Sequence, residues 1–416
     1  MSTPAAVLPL SREKETVQPK REEILSRLPA IAAEIAEDAA RRERERELPH
    51  DIFRKLRETG LTSLRVPEAL GGPGGTMSDQ VEIICALAAA DSSVAHALRT
   101  HFSFVESMAI DPQSFLSTRY AGEVLKGKLF GGAYMEVGTP RPNTIRATIR
   151  RNGDHYLLNG NKYYATGTAY ADYTSFTALD EEGTVINALI PADREGVHIL
   201  DDWDGMGQRM SASGGVSLVN VTVYPDETSP HIKANPFVRR HGATRAQLHL
   251  AAVIVGIVRN VVSDAIHYVQ ASARSAKHSA SETARGDHFV QRAVGEISAI
   301  SYALDALIAE TARKLDRAAE AIVAGTPDAE LDDLVMASAL ANSKTQIVTG
   351  TLASRAAELI FETGGGSATS RTNNFDRHWR NIRTLLNHNP LFLKARVVGD
   401  YYLNGTRTDF DEGRIF

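Results

Sequence analysis

The feature that most constrains this chain is an abrupt change in its hydrophobic period. From Arg21 to about Leu125, apolar residues recur at three- and four-residue spacing, which is typical of helices. Between residues 130 and 232, short segments rich in Val, Ile, Thr and Tyr alternate with the turn signals NGD and NG, which is typical of antiparallel strands. From residue 233 onward, long helical periods return. The pattern predicts an α+β protein in the order helices, sheet, helices.

We expect four segments along the chain. Residues 1–20 are polar and predict a disordered leader, 21–129 an N-terminal helical domain, 130–232 a central antiparallel β-domain and 233–416 a C-terminal four-helix bundle. The first helix carries one apolar stripe, made of Ile24, Leu28, Ile31, Ile35 and Ala39. The last helix of the bundle is predicted at about Pro390–Leu403.

Charge and cysteine content exclude several classes of protein. The net charge of −5 gives no basic field for nucleic acid, and no apolar run reaches the length of about 20 residues that crosses a bilayer. The single cysteine excludes an intramolecular disulfide and indicates a reducing, cytoplasmic compartment. No spacing of Cys and His predicts a metal site.

Three ordered motifs connect the chain to a known family. GGAYMEVG, LNGNKYYATGTAYADY and DWDGMGQRMSASGG follow one another through the β-rich third. In this order they resemble the acyl-CoA dehydrogenase superfamily, and the resemblance covers about residues 25 to 405. FDRHWRNIRTLLNHNP and KARVVGDYYLNG are similar to its flavin-dependent monooxygenase branch, which includes dibenzothiophene, sulfone and sulfinate monooxygenases.

The residues at the family's catalytic-base positions differ from those of a dehydrogenase. A dehydrogenase of this family needs a carboxylate base over its substrate. In the family this carboxylate occurs at one of two places. In this chain the two places contain RNIRTLLNHNP and TRAQLHLAA, and neither segment has Asp or Glu. The resemblance to the monooxygenases instead implies that His388 lies near the flavin and helps form or protonate a flavin hydroperoxide. The alternative is a structural histidine that caps the start of the last helix.

The resemblance also implies a set of flavin contacts in the β-domain. Thr166 is expected beside flavin N5, and Tyr164 is expected to pack on the isoalloxazine ring. An ordinary strand threonine and a core tyrosine are the alternatives. The remaining β-domain residues that we expect to bind the cofactor are Met135, Ala165 and Ser213.

The phosphate of the flavin is expected at two C-terminal positions. Arg274, placed by the resemblance on the first long bundle helix, would bind the phosphate through its guanidinium. The turn GGGSATS, with Gly365 and Ser370, corresponds to the family's glycine-rich turn, which contacts the flavin of a neighbouring subunit. A solvated arginine and a plain helix C-cap are the alternatives.

The substrate pocket is expected on the helix that contains SSVAHALRTHFSF. His96 matches an active-site histidine of the monooxygenase branch, and Thr100 and His101 follow it. Structural roles for both histidines remain open. Gly132 and Asn389 complete the predicted pocket. Because Gly132 and Thr100 replace an asparagine and a tyrosine of dibenzothiophene monooxygenase, the substrate should differ from dibenzothiophene.

Together with these features, the resemblance implies a two-component monooxygenase that works as a homotetramer. A separate NAD(P)H:flavin reductase would supply FMNH2, with FAD as a second possibility, and O2 would form a C4a-hydroperoxyflavin that oxygenates a small organosulfur or amine substrate. The chain itself contains no strand-linked GxGxxG motif for NAD(P)H. Two alternatives stay open: an FAD-dependent acyl-CoA dehydrogenase or oxidase, and a helical scaffold without activity.

Overall fold

The computed structural model describes residues 19–141, 144–230, 235–388 and 390–407. Of the predicted leader, only residues 19 and 20 belong to these ranges, and the predicted pocket residue Asn389 lies outside them. The order of helices, sheet and helices is as predicted.

The N-terminal domain is helical, but its first helix is interrupted. Ile24, Leu28, Ile31 and Ile35 are buried as the stripe predicts, whereas the backbone breaks at Arg27 and again at Asp38. A capping box at Thr76 starts the longest helix of the domain. The helices run Arg21–Ser26 (α1), Leu28–Glu37 (α2), Ala39–Glu45 (α3), His50–Thr59 (α4), Met77–Ala90 (α5), Ser92–Ala97 (α6), Arg99–Ile110 (α7) and Phe115–Leu125 (α8).

The central domain is one eight-stranded sheet in the order β6-β7-β3-β2-β4-β5-β8, with β1 added beside β4. The prediction of an entirely antiparallel domain is wrong at two places, because β1 and β2 both pair with β4 in parallel. The chain leaves β1 through a connection too long for a hairpin, and β3 lies between β2 and β4 in the sequence, so parallel pairing with β4 is possible in both cases. The strands are Phe130–Ala133 (β1), Thr148–Asn152 (β2), His155–Lys162 (β3), Tyr173–Leu179 (β4), Val185–Pro191 (β5), Val197–Ile199 (β6), Val216–Val223 (β7) and Thr228–Pro230 (β8).

The C-terminal region contains three long helices and two short ones within the described residues. The helix predicted at about Pro390–Leu403 is found as α13, a further helix, α12, precedes it, and both pack on α11. His388 is the last residue of α12, and Pro390 precedes the first residue of α13. The helices are Pro236–Ala271 (α9), His288–Val323 (α10), Asp328–Leu359 (α11), Asp376–His388 (α12) and Leu391–Asn404 (α13).

Helix α9 joins the two helical regions into one core. It is long and apolar enough to cross a membrane by composition, yet 67% of its most apolar window is buried inside the fold. It packs against α5 so closely that a Cβ added to Gly256 would lie 2.4 Å from the carbonyl oxygen of Cys85. The N-terminal helices therefore pack directly against the bundle, and the sheet lies beside them.

Candidate active site

The segment after β3 presents an aromatic ring to solvent in a strained conformation. Tyr164 has a φ of 57° and is 54% exposed, although tyrosine avoids the left-handed region. Backbone bonds fix it on both sides, from Tyr163 N to Met135 O and from Ala165 N to Gly214 O. The ring of Trp203 packs edge-on at 6.2 Å. Such strain, about 1–3 kcal/mol, persists where the surroundings determine the backbone, and it often marks a ligand site.

A pair of hydroxyl groups lies directly beyond this ring. Thr166 Oγ1 and Ser213 Oγ are 2.8 Å apart, and Ser213 Oγ continues to Ser211 Oγ at 2.7 Å. Thr166 is half-buried, and both serines are buried. The predicted residues Thr166, Ser213, Ala165, Tyr164 and Met135 therefore lie next to one another, and their accessible part, at Tyr164 and Thr166, is called the Thr166 surface below.

The next residue brings this surface against the N-terminal domain. Gly167 has a φ of 77°, and a Cβ there would lie 2.0 Å from the carbonyl oxygen of Ala97. Only glycine permits this approach. Since Ala97 follows His96 at the end of α6, the close contact sets His96 beside the Thr166 surface.

His96 is buried and neutral. Burial, and next the charges of Arg99 and His388, lower the pKa of His96 to about 3. Its Nδ1 has no hydrogen-bond partner among the described residues. The ring interacts with the side chain of Gln208, whose Nε2 donates to Ser92 Oγ at 3.0 Å.

Gln208 joins the three regions of the protein. It is fully buried with a φ of 53°, and its backbone N–H donates to Asn381 Oδ1 on α12 at 2.6 Å. Its carbonyl oxygen accepts a bond from Trp203 Nε1 at 3.0 Å. The loop that carries the exposed aromatic face is thereby fixed to α6 and α12 together.

His388 reaches this site from the end of α12. Arg99 Nη1 lies 3.5 Å from His388 Nε2, which is a long contact. Because a guanidinium only donates, Nε2 is the acceptor in this contact. Burial lowers the pKa of Arg99 to about 10. Arg99 thus contacts His388 directly and acts on His96 through its charge.

A second arginine stands behind the first. Arg245 on α9 is 2% exposed, donates to Ser103 Oγ and lies 3.3 Å from the carbonyl oxygen of Arg99. Its Nη1 is buried without a hydrogen-bond partner among the described residues. Burial lowers the pKa of Arg245 to about 9, with the neighbouring charge of Glu106 opposing the shift and that of Arg99 adding to it.

The buried carboxylate on α7 is already engaged. Glu106 accepts from Arg65 Nε at 2.7 Å and Nη2 at 3.2 Å, and from His241 Nε2 at 2.7 Å. Burial would raise the pKa of Glu106, but the charge of Arg65 and the bond from His241 outweigh it and lower the pKa to about 2. A carboxylate with that pKa is a weak base.

Three residues predicted for the substrate pocket, His101, Thr100 and Gly132, are surrounded by the protein's own groups. His101 bonds through Nε2 to Thr62 O at 3.0 Å and accepts at Nδ1 from Phe130 N at 3.2 Å, so both nitrogens serve the backbone. This geometry favours a structural role over a substrate contact. Thr100 is half-buried in the first turn of α7. The ring of Tyr134 lies over Gly132, 2.7 Å from where a Cβ would stand.

The two predicted phosphate elements lie together at the far end of α9. Arg274 is exposed in the loop after the helix, which ends at Ala271, so its placement on the helix was wrong. The glycine-rich turn packs on that end, because Tyr268 OH bonds Ser367 Oγ at 2.8 Å. Gly365 has a φ of 54° and open space around it, and Ser370 is exposed.

The sequence reasoning missed Arg99, Arg245, Gln208 and Trp203. Arg99 and Arg245 were within segments already singled out, and Arg99 is one helical turn after His96. A search for basic residues near the two histidines would have found Arg99. Glutamine has no preference for a positive φ, so the residue type gave no indication of the conformation at Gln208.

Comparison with known proteins agrees with this geometry. The N-terminal domain family of acyl-CoA dehydrogenases matches residues 22–112, and a C-terminal domain family of the same enzymes matches residues 248–391. Dibenzothiophene monooxygenase of Rhodococcus erythropolis is 30% identical over 84% of this chain and 86% of its own. This chain belongs to the acyl-CoA dehydrogenase family.

Two further members of the family place it among the oxygen-using enzymes. A probable FMNH2-dependent monooxygenase, SfnC of Pseudomonas putida, is 27% identical over 91% of this chain and 94% of its own length. The crystal structure of FMN-bound TdsC from a Paenibacillus species superposes with a TM-score of 0.79 at 28% identity, over 92% of this chain and 98% of that one. The predicted fold, with an N-terminal helical domain, a central β-domain and a C-terminal helical region, is confirmed.

Proposed function

We propose that this protein is a two-component monooxygenase that uses reduced FMN and O2 to oxygenate a small organosulfur or amine substrate. The observation that carries the proposal is the meeting of His96, Arg99 and His388 where a dehydrogenase of this family needs a carboxylate. The buried carboxylate Glu106 is held by Arg65 and His241 at a pKa of about 2, which disfavours the dehydrogenase alternative.

The described residues fit a flavin. The exposed ring of Tyr164 and the indole of Trp203 offer an aromatic face for the isoalloxazine, and the hydroxyls of Thr166 and Ser213 border that face. When bound, reduced FMN supplies the electrons that activate O2. FMN is preferred over FAD, since the TdsC relative binds FMN.

The side chains of this site would control protons and preform the site. Neutral His96 can only exchange a hydrogen bond, because burial holds its pKa at about 3. His388, which is more exposed, is the group that can deliver or hold a proton. Gln208 and Trp203 fix the loop that carries the aromatic face to α6 and α12, so that the flavin would meet a preformed site.

The position of the phosphate elements supports a flavin site shared between neighbouring subunits, as the proposed homotetramer would allow. Arg245 and Tyr268 are separated by 23 residues of α9, which is about 35 Å of helix. That distance exceeds the length of one FMN, so Arg274 and the glycine-rich turn would bind the phosphate of a neighbouring subunit's flavin. Exposed Phe289 and Tyr302 on α10 add apolar surface for such contacts.

Two parts of the proposal concern the surroundings of the enzyme. No dinucleotide-binding motif is found in the sequence, so a separate NAD(P)H:flavin reductase would supply reduced FMN. A cytoplasmic location follows from the single thiol, Cys85, whose pKa burial raises to about 12 and which is thereby unreactive.

The test is rapid mixing of the anaerobic protein with reduced FMN and then with O2, while flavin absorbance is recorded. We expect a transient band that differs from reduced and oxidised flavin, and in His388→Ala it should decay at least tenfold faster. His155→Ala, in the β2–β3 hairpin, is the matched control and should behave as the native protein. Direct return to oxidised flavin in the native protein would refute the proposal.

A further inference from the structure

The interior beside His96 contains more positive than negative charge. Arg65, Arg99 and Arg245 lie along or against α7, Glu106 is the carboxylate in contact with this group, and Asp316 and Asp79 act on Arg65 from a longer distance. Glu106 binds Arg65 directly and influences Arg245 only at longer range. No ion pair within 4 Å joins Arg99 or Arg245 to a carboxylate of the described residues.

Unbalanced buried charge is costly to a folded protein. Each buried ion costs several kcal/mol unless a partner of opposite charge compensates it. The depressed pKa values of Arg99 and Arg245 report that cost. Two nitrogens nearby, Arg245 Nη1 and His96 Nδ1, are also buried without a hydrogen-bond partner in the described part of the chain.

We infer that Arg99 and Arg245 bind the anionic head group of the substrate, which is therefore a small organic oxyanion such as a sulfinate, a sulfonate or a carboxylate. This inference rests on the proposed function and names its substrate class. Guanidinium groups bind such planar or branched oxyanions with two parallel bonds. With its head on Arg99, the substrate would extend between His388 and the Thr166 surface.

The phosphate of FMN is the other possible source of the anion. Its predicted ligands lie at the opposite end of α9, about 35 Å from Arg245 within one subunit. The aromatic face at Tyr164 adjoins the Arg99 end through the contact of Gly167 with Ala97. The ring end of the cofactor, where substrate reacts, is thereby the end beside the arginines.

Calorimetric titration of the full-length protein, saturated with oxidised FMN, tests the inference. The ligands are benzenesulfinate, benzoate and the neutral methyl phenyl sulfone. We expect an anion to bind at least tenfold more tightly than the neutral sulfone. In Arg99→Met and in Arg245→Met, binding of the anion should weaken about 30-fold or more, while the sulfone is affected little. Arg313→Met, which removes an exposed arginine of α10, is the control.

Each outcome decides one question. If the sulfone binds as tightly as both anions, or if both Met variants bind benzenesulfinate like the native protein, the inference is overturned. Competition between benzenesulfinate and FMN would assign the arginines to the cofactor phosphate and also overturn it. If Arg99→Met fails to fold, Arg99→Lys replaces it in the test. This variant keeps the charge but loses the paired geometry, so it should bind benzenesulfinate with intermediate affinity. Since the titration uses no O2, it remains decisive even if the native protein forms no transient flavin band.

Discussion

Two basic clusters lie two turns apart along α7, and they differ in whether their charge is balanced. In the first, Glu106 binds both Arg65 and His241, and each bond is 3.2 Å or shorter. In the second, Arg99 and Arg245 have no carboxylate partner among the described residues. The balanced cluster joins α7 to α9 and stabilises the fold. We expect the unbalanced cluster to contribute little to the fold, because the partner proposed for its charge is a ligand.

The largest effect of any single substitution should follow from removing the balance of the first cluster. We expect Glu106→Gln to lower the free energy of unfolding by about 3–5 kcal/mol, because Arg65 would be left buried and unpaired. Urea unfolding of the purified protein measures the change. Glu82→Gln, which affects a half-exposed pair with Arg259, is the matched control and should cost about 1 kcal/mol or less. Equal losses in the two variants would remove the distinction between the clusters.

Lowering the pH below 7 should destabilise the fold through its buried histidines, whereas Glu106 should contribute little to that loss. Burial, as the first cause, lowers the pKa of His96 to about 3, that of His101 to about 4, and that of His249 well below its usual value. The unfolded chain therefore takes up protons near pH 6.5 that the folded protein refuses, and stability falls as the pH drops below that value.

The expected loss approaches about 1.4 kcal/mol per pH unit for each histidine that titrates only when unfolded. Urea unfolding at pH 7.0 and pH 5.0 tests this. Over that interval Glu106 stays ionised in the folded protein, where its pKa is about 2, and mostly ionised in the unfolded chain, where its ordinary pKa is 4.5. In His101→Gln the difference between the two pH values should shrink, and equal stability of the native protein at both pH values would contradict the prediction.

The smallest effect is expected at the unbalanced cluster. Arg245→Met exchanges a buried charge without a carboxylate partner for an apolar chain of similar length. The free energy of unfolding should change by about 1 kcal/mol or less in either direction. Urea unfolding measures it beside Glu106→Gln. A loss as large as that of Glu106→Gln would mean that Arg245 supports the fold and would weaken its assignment to a ligand.

Much of the fold could be predicted from residue patterns. Hydrophobic period alone gave the order of helices, sheet and helices, and the buried stripe of Ile24, Leu28, Ile31 and Ile35. The interruption at Arg27 escaped prediction although Pro29, in the first turn of α2, is a signal for a new helix start, whereas Asp38 is not a strong helix breaker. The parallel pairing of β1 with β4 also escaped, because partner choice depends on contacts distant in sequence.

The sequence by itself determined which chemical groups this protein has: His96 and His388 without a catalytic carboxylate, a threonine after an aromatic pair, and a single thiol. The tertiary structure decided which of them meet. It engaged His101 in backbone bonds, set Tyr164 in the left-handed region, and brought Arg245 of α9 behind Arg99 of α7. The physical reason is that charge balance and desolvation depend on distance and burial, which arise only when remote segments pack together.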